Sequence, residues 1–229
     1  MAEFDGFAAS YDEDLDRGLA LTGEGKLFYA RRRLAAVQVA AARAGVVAGR
    51  VLDFGAGTGT AAPLLREMLG AGFVLGVDPS AASIGRARAE HGGPGIEFRT
   101  SAEFIPEPTF DLVFVNGVFH HIPLANRGVA MAAVAASVRP GGLVALWENN
   151  PFNPGTRMVM RRVAFDRDAV LLRPAESRRL LEGAGLVVRS TGFHFVFPRV
   201  LAWFRPLEPA LAGWPLGGQY LVVATKPGR

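Results

Sequence analysis

The sequence predicts an α/β fold: a doubly wound, mainly parallel sheet of seven strands with helices on both faces. Three observations carry this reading. From residue 50 short apolar runs alternate with longer amphipathic stretches; a glycine-rich loop joins the first such run to a helix; and two further β-type runs follow after the alternation breaks. At 229 residues the chain can bury a full core without staples, and a single α/β unit often runs this far.

The elements follow in order. Before residue 50, KLFYARRRLAAVQVAAARAG predicts one or two helices, stopped near Gly45 and lying across the first βα unit. Strands are expected at RVLDF (50–54), FVLGV (73–77), IEFRT (96–100), FDLVFV (110–115) and GGLVALW (141–147). The segments between them, AAPLLREML, AASIGRARAE and ANRGVAMAAVAASV, carry apolar residues at helical spacing. After residue 148 the rhythm changes. ENNPFNPGTR reads as a loop rich in proline and asparagine, PAESRRLLEGAG as a helix with a glycine stop, and LVVRSTGFHFVF and GQYLVVATKP as two last strands. The connection between those strands, PRVLAWFRPLEPALAGWPL, is long for a hairpin and rich in aromatics.

Composition removes several classes of function. The absence of cysteine excludes disulfides, thiolate zinc sites and a cysteine nucleophile. The acidic start MAEFDGFAASYDEDLDRG lacks the basic and apolar regions of a signal peptide, and no apolar stretch reaches the length of a membrane span, so a cytosolic protein without stable membrane insertion is expected. Net charge is +4 but uneven: residues 1–150 carry 13 Lys+Arg against 16 Asp+Glu, whereas residues 151–229 carry 12 against 5. The basic residues are scattered singly and nearly all are arginine, which reads as a solvated surface; a nucleic-acid partner is not expected, and a homodimer stays open.

The motifs give the chain its specificity. VLDFGAGTGT starts on a strand, places glycines at 55, 57 and 59, and enters a helix, so backbone can approach a ligand closely and free N–H groups point at it. The dinucleotide fingerprint wants glycine where this chain has Thr60, and it does not need an acid at Asp53. The second strand ends in GVDPS, putting Asp78 where a carboxylate could accept hydrogen bonds from both ribose hydroxyls, a role compatible with capping the next helix.

Taken in order, VLDFGAGTGT, GVDPS, SAEFIP, FDLVFVNGVFHHIP and VRPGGLVALWE resemble the class I S-adenosylmethionine-dependent methyltransferases of the small-molecule branch, over roughly residues 29 to 148. The resemblance implies a Rossmann-like methyltransferase fold with an N-terminal helical lid. It divides one domain into N-terminal helices and lid (1–48), a cofactor-binding core (49–148), and acceptor-side insertions with the last strands (149–229). It also implies S-adenosyl-L-methionine as cofactor: Gly55, Ala56, Gly57 and Gly59 line its methionine end, Asp53 stands near its amino group, Asp78 with Pro79 holds the ribose, Ser101 and Ala102 flank the adenine, and Asn116 touches the methionine amine. Tyr11 resembles a lid tyrosine, and Tyr29 or Arg33 reaches the cofactor carboxylate. One departure stands out, since the family usually has aspartate where this chain has Ser101.

His120 and His121 follow the fourth strand, where the resemblance places the transferred methyl group. A histidine titrating near neutrality suits removal of a proton from an acceptor, worth on the order of 10² to 10⁴ in rate. Adjacent residues at a helix start point roughly 100° apart, so one is expected to face the acceptor, with His120 leading, and the other to pack. The bland alternative, that both only shape the turn, stays open. No metal is expected: His-His lacks the i, i+4 spacing of helical ligands, although His194 and Glu148 could converge in space.

Glu148, Asn149, Asn150 and Arg157 are candidates for acceptor contacts, against a turn-building or surface role. The aromatics Phe193, Phe195, Phe197, Trp203, Phe204 and Trp214 imply a greasy acceptor if they form a lid, and core or dimer interface otherwise. The expected activity is therefore methyl transfer to a small, hydrophobic acceptor, O-methylation being favoured over C- or N-methylation. The competing readings are a non-catalytic S-adenosylmethionine-binding scaffold and a nicotinamide dehydrogenase, the latter opposed by Thr60.

Overall fold

A computed structural model describes residues 18–163 and 169–228. The N-terminal stretch with Tyr11 lies outside the described residues. Seven strands form one sheet: β1 (Arg50–Phe54), β2 (Phe73–Asp78), β3 (Ile96–Thr100), β4 (Phe110–Asn116), β5 (Val138–Asn149), β6 (Val187–His194) and β7 (Gln219–Thr225), in the order β3-β2-β1-β4-β5-β7-β6. Only β7 runs antiparallel to both of its neighbours.

The alternation of the strand sequences sorts their side chains onto two faces. Val51, Leu112, Phe114, Leu143 and Trp147 point to one face, where helices Lys26–Arg43, Ala62–Leu69 and Ala81–His91 bury Leu34, Val37, Leu65 and Ile84 against them. Leu52, Val113, Val115, Val144 and Leu146 point to the other, covered by helices Leu124–Ser137 and Pro174–Gly183 through Met131, Val134 and Leu181. A central parallel sheet covered on both sides has no wet face, which is why these runs read as nearly continuous apolar segments.

Most expected elements appear within a few residues. The segment before residue 50 is one helix, Lys26–Arg43, and Gly45 follows it at φ 67°. β5 is longer than expected because its first residues pair with the start of β4 across an irregular register. ENNPFNPGTR is not a loop throughout: the side chain of Asn153 accepts a hydrogen bond from Thr156 N–H, Pro154 occupies the first turn, and a helix runs over Pro154–Met160. The aromatic connection contains a 3-10 helix, Arg199–Leu207, and a short helix, Glu208–Leu211.

The strand order reverses direction between β1 and β4. At such a switch point the loops leaving the two strands diverge, one to each side of the sheet, and open a crevice at their C-terminal ends. The glycine loop leaves β1 there, and the His120–His121 turn leaves β4.

Candidate functional site

The glycine loop folds back onto the end of β2, with Gly55 N–H and Ala56 N–H both donating to the Val77 carbonyl at 2.7 and 3.0 Å. Gly55, Gly57 and Gly59 all have positive φ (82°, 53° and 80°). Their surroundings differ. A Cβ on Gly55 would run into Val118, and one on Gly59 into Phe98 and Ala87, whereas one on Gly57 would meet nothing within 4 Å. Two glycines therefore exist for packing, and Gly57 is the one whose backbone faces open space.

Asp78, at the end of β2, holds this loop in place. Its carboxylate accepts Gly57 N–H and Ser80 N–H, each at 2.9 Å. The cap of the next helix is Ser80, which accepts Ser83 N–H at 3.1 Å, so the capping role expected of Asp78 falls to Ser80. Ser101 N–H donates to the Asp78 carbonyl at 3.0 Å, and the Pro79, Ser101 and Ala102 side chains are exposed beside it. Asp53 is buried, and its Oδ2 has no hydrogen-bond partner. Burial, and then the neighbouring Asp78 charge, push its carboxyl up to about 7.

Across the crevice, Gly117 N–H donates to the Trp147 carbonyl at 2.9 Å and Phe119–His121 make a 3-10 turn. His120 is buried, and its Nδ1 lies 2.6 Å from Glu148 Oε2. The second oxygen of Glu148 accepts Phe119 N–H at 2.8 Å, so the fully buried carboxylate fixes both the turn and the ring. A proton on Nδ1 donates to that carboxylate, which turns the Nε2 edge of the His120 ring away from Glu148. Both histidines are in the wall of one cavity, with ring centroids 4.1 Å apart. His120 is the deeper of the two, and His121 is half-buried.

The cavity measures about 390 Å³. Of the residues singled out in the sequence, Tyr29, Arg33, Asn116, His120, His121 and Asn149 line it, while Asp53, the glycine loop, Asp78, Ser101 and Ala102 are not in its wall. Arg33 Nε donates to Gln219 Oε1 at 2.8 Å, and Gln219 Nε2 donates to Asn149 Oδ1 at 2.9 Å. Tyr29 is buried edge-on against Phe195, and that burial raises its hydroxyl above the usual tyrosine value.

Several candidates sit elsewhere. Glu148 is committed to His120 and Phe119 and is not in the cavity wall. Asn150 is a turn builder, donating to the Gly217 and Pro215 carbonyls at 2.7 and 3.0 Å. Arg157 is exposed and outside the cavity wall. The aromatic set divides: Phe195 and Phe197 are in the wall, Phe193 packs beside Tyr220 on the other face of the sheet, and Trp203, Phe204 and Trp214 are exposed. His194 stacks edge-on against Trp147, and burial lowers it to about 4. Among the described residues no three His, Asp or Glu side chains gather as metal ligands would.

Sequence reasoning missed Gln219 and the Arg32–Glu208 pair in the cavity wall, the latter at 2.5 Å. Their partners lie more than 170 residues apart, and no local pattern announces them.

Residues 51–142 match a family described as a methyltransferase domain. A trans-aconitate 2-methyltransferase of Rhodopseudomonas palustris is 30% identical over 159 residues, covering 69% of this chain and 59% of the relative. A ubiquinone biosynthesis O-methyltransferase of Bradyrhizobium is 40% identical over 100 residues, covering 42% and 38%. The chain spans about half the length of the curated relatives it matches. Among solved structures, the complex between the Haloferax volcanii Trm112 methyltransferase activator and a methyltransferase aligns over 98% of both chains with a TM-score of 0.66 at 22% identity, a likeness of fold. The sheet order, the glycine loop after β1 and the matched domain together place this chain in the class I S-adenosylmethionine-dependent methyltransferase family.

Proposed function

We propose that the chain methylates a hydroxyl of a small acceptor, with S-adenosylmethionine as methyl donor. The observation that carries the reading is the buried Glu148–His120 pair, whose imidazole is part of the cavity wall. The residues present fit the cofactor. Gly57 leaves open space where backbone can approach it, and the Asp78 carboxylate stands at the end of β2 holding that loop, the place a ribose-binding acid takes at a switch point.

When bound, the cofactor would supply a methyl group carried on a positively charged sulfur, whose neutral thioether would leave as the acceptor oxygen takes the methyl. The protein's task is alignment, exclusion of water and management of one proton. His120 Nε2 takes the hydroxyl proton as the oxygen–methyl bond forms, and Glu148 stabilises the imidazolium that results. Tyr29, Phe195 and Phe197 supply apolar wall for the body of the acceptor.

His120→Ala should lower turnover on a hydroxyl acceptor by on the order of 10² or more while cofactor affinity measured by calorimetry stays nearly constant. The loss should shrink as pH approaches the acceptor's own pKa. A second reading comes from the trans-aconitate relatives, because a carboxylate acceptor is already ionised and needs no base. Normal turnover of His120→Ala at every pH would favour that reading and overturn the first.

A further inference from the structure

Two segments outside the parallel core surround the cavity mouth, residues 150–163 and 195–218, and they are stitched to each other. Asn153 Nδ2 donates to the Leu216 carbonyl at 2.7 Å and Thr156 Oγ1 to the Gly218 carbonyl at 2.6 Å, beside the Asn150 bonds to Pro215 and Gly217. Their outer surface is unusually apolar. Val200 is 83% exposed, Trp203 77% and Trp214 65%, and the 3-10 helix Arg199–Leu207 contains no buried residue. Phe152 and Met158 on the first segment and Leu207 and Leu216 on the second are at least half exposed as well. Large apolar side chains gathered in this way mark an interaction surface.

The charge on this face has one sign. Residues 150–163 carry Arg157, Arg161 and Arg162, all exposed, and no acid; residues 195–218 add the exposed Arg199, while Arg205 is paired with Glu24 at 2.8 Å and Glu208 is buried on Arg32. Tryptophan and aliphatic side chains interleaved with arginine suit the boundary between headgroups and acyl chains, with each basic residue gaining about 1 kcal/mol at an anionic surface. A second copy of the chain fits less well, because a two-fold contact would set arginines against arginines. A nucleic acid would match the charge but would leave Val200, Leu207 and Leu216 without stacking partners.

We propose that this face docks on an anionic lipid bilayer and presents the cavity mouth to the lipid phase. No helix of the described residues is long and apolar enough to cross a membrane, so the contact is peripheral. An acceptor with an apolar body would then enter from the membrane without crossing water. The docking itself does not depend on the methyl-transfer reading.

Vesicle sedimentation of the full chain tests it. Phosphatidylcholine–phosphatidylglycerol vesicles should bring the protein down, phosphatidylcholine alone much less, and added salt should release it. Arg161→Gln and Arg162→Gln should each weaken binding to the anionic vesicles by about fivefold. Trp203→Ala with Trp214→Ala should weaken it by about tenfold or more, with the thermal unfolding midpoint held as the control for folding. Because Trp147 is fully buried, the emission of Trp203 and Trp214 should shift to the blue on vesicles while that of Trp147 stays in place, read in single-tryptophan variants. Equal binding to neutral and anionic vesicles, no binding to either, or protection of Trp203 and Trp214 only by self-association or by a single-stranded oligonucleotide would each overturn the proposal.

Discussion

Asp53→Asn should change the pH dependence of stability in a defined direction. In the folded chain the carboxyl is buried in β1 with an unpartnered Oδ2 and is pushed up to about 7 by burial and by Asp78, from an ordinary value of 3.8. Between those values the folded chain keeps a proton that the unfolded chain releases, so this group's contribution is fully present below about 4 and is lost as pH rises through 7. At about 1.4 kcal/mol per unit, the roughly two units between pH 5 and 7 amount to about 3 kcal/mol. His194, held neutral by burial down to about 4, slopes the other way between about 4 and 6.5. It is present in both proteins and cancels in their difference. Urea unfolding of wild type and Asp53→Asn at pH 5 and pH 8 should show the variant gaining about 1 to 3 kcal/mol relative to wild type at the higher pH, the lower figure allowing for relaxation of the glycine loop. A stability difference that stays constant across pH would refute the placement of Asp53 as an unpaired buried acid.

Two further outcomes follow from the same loop. Gly59→Ala forces a Cβ to within 2.7 Å of the Phe98 ring at φ 80°, so it should lower the unfolding midpoint strongly, by about 2 kcal/mol or more. Gly57→Ala meets no atom and should cost only about 1 kcal/mol of backbone strain while weakening S-adenosylmethionine binding at least tenfold, read by unfolding and calorimetry on the same samples. Asp78→Ala should weaken cofactor binding by about 1.5 to 3 kcal/mol in calorimetry; unchanged affinity in a folded variant would remove Asp78 from the ribose site.

The sequence by itself determined the parts whose causes are local. Alternating apolar residues in RVLDF and FDLVFV, helical spacing in KLFYARRRLAAVQVAAAR and the three glycines after β1 set their own backbone conformations, so strands, helices and the loop are legible wherever they end up. Pairing across the sheet is different. Glu148 reaches His120 only because β5 lies beside β4 with Asn116 opposite Trp147, and Gln219 reaches Arg33 only because β7 inserts between β5 and β6. Nothing in ENN told Glu148, which orients a ring, from Asn150, which builds a turn, since both roles depend on what stands 28 and 67 residues away. Likewise all three loop glycines look alike in GAGTG, and only the positions of Val118, Phe98 and Ala87 decide that Gly57 alone faces open space. Periodicity reports which side of its own element a residue occupies, and strand order decides what that side meets.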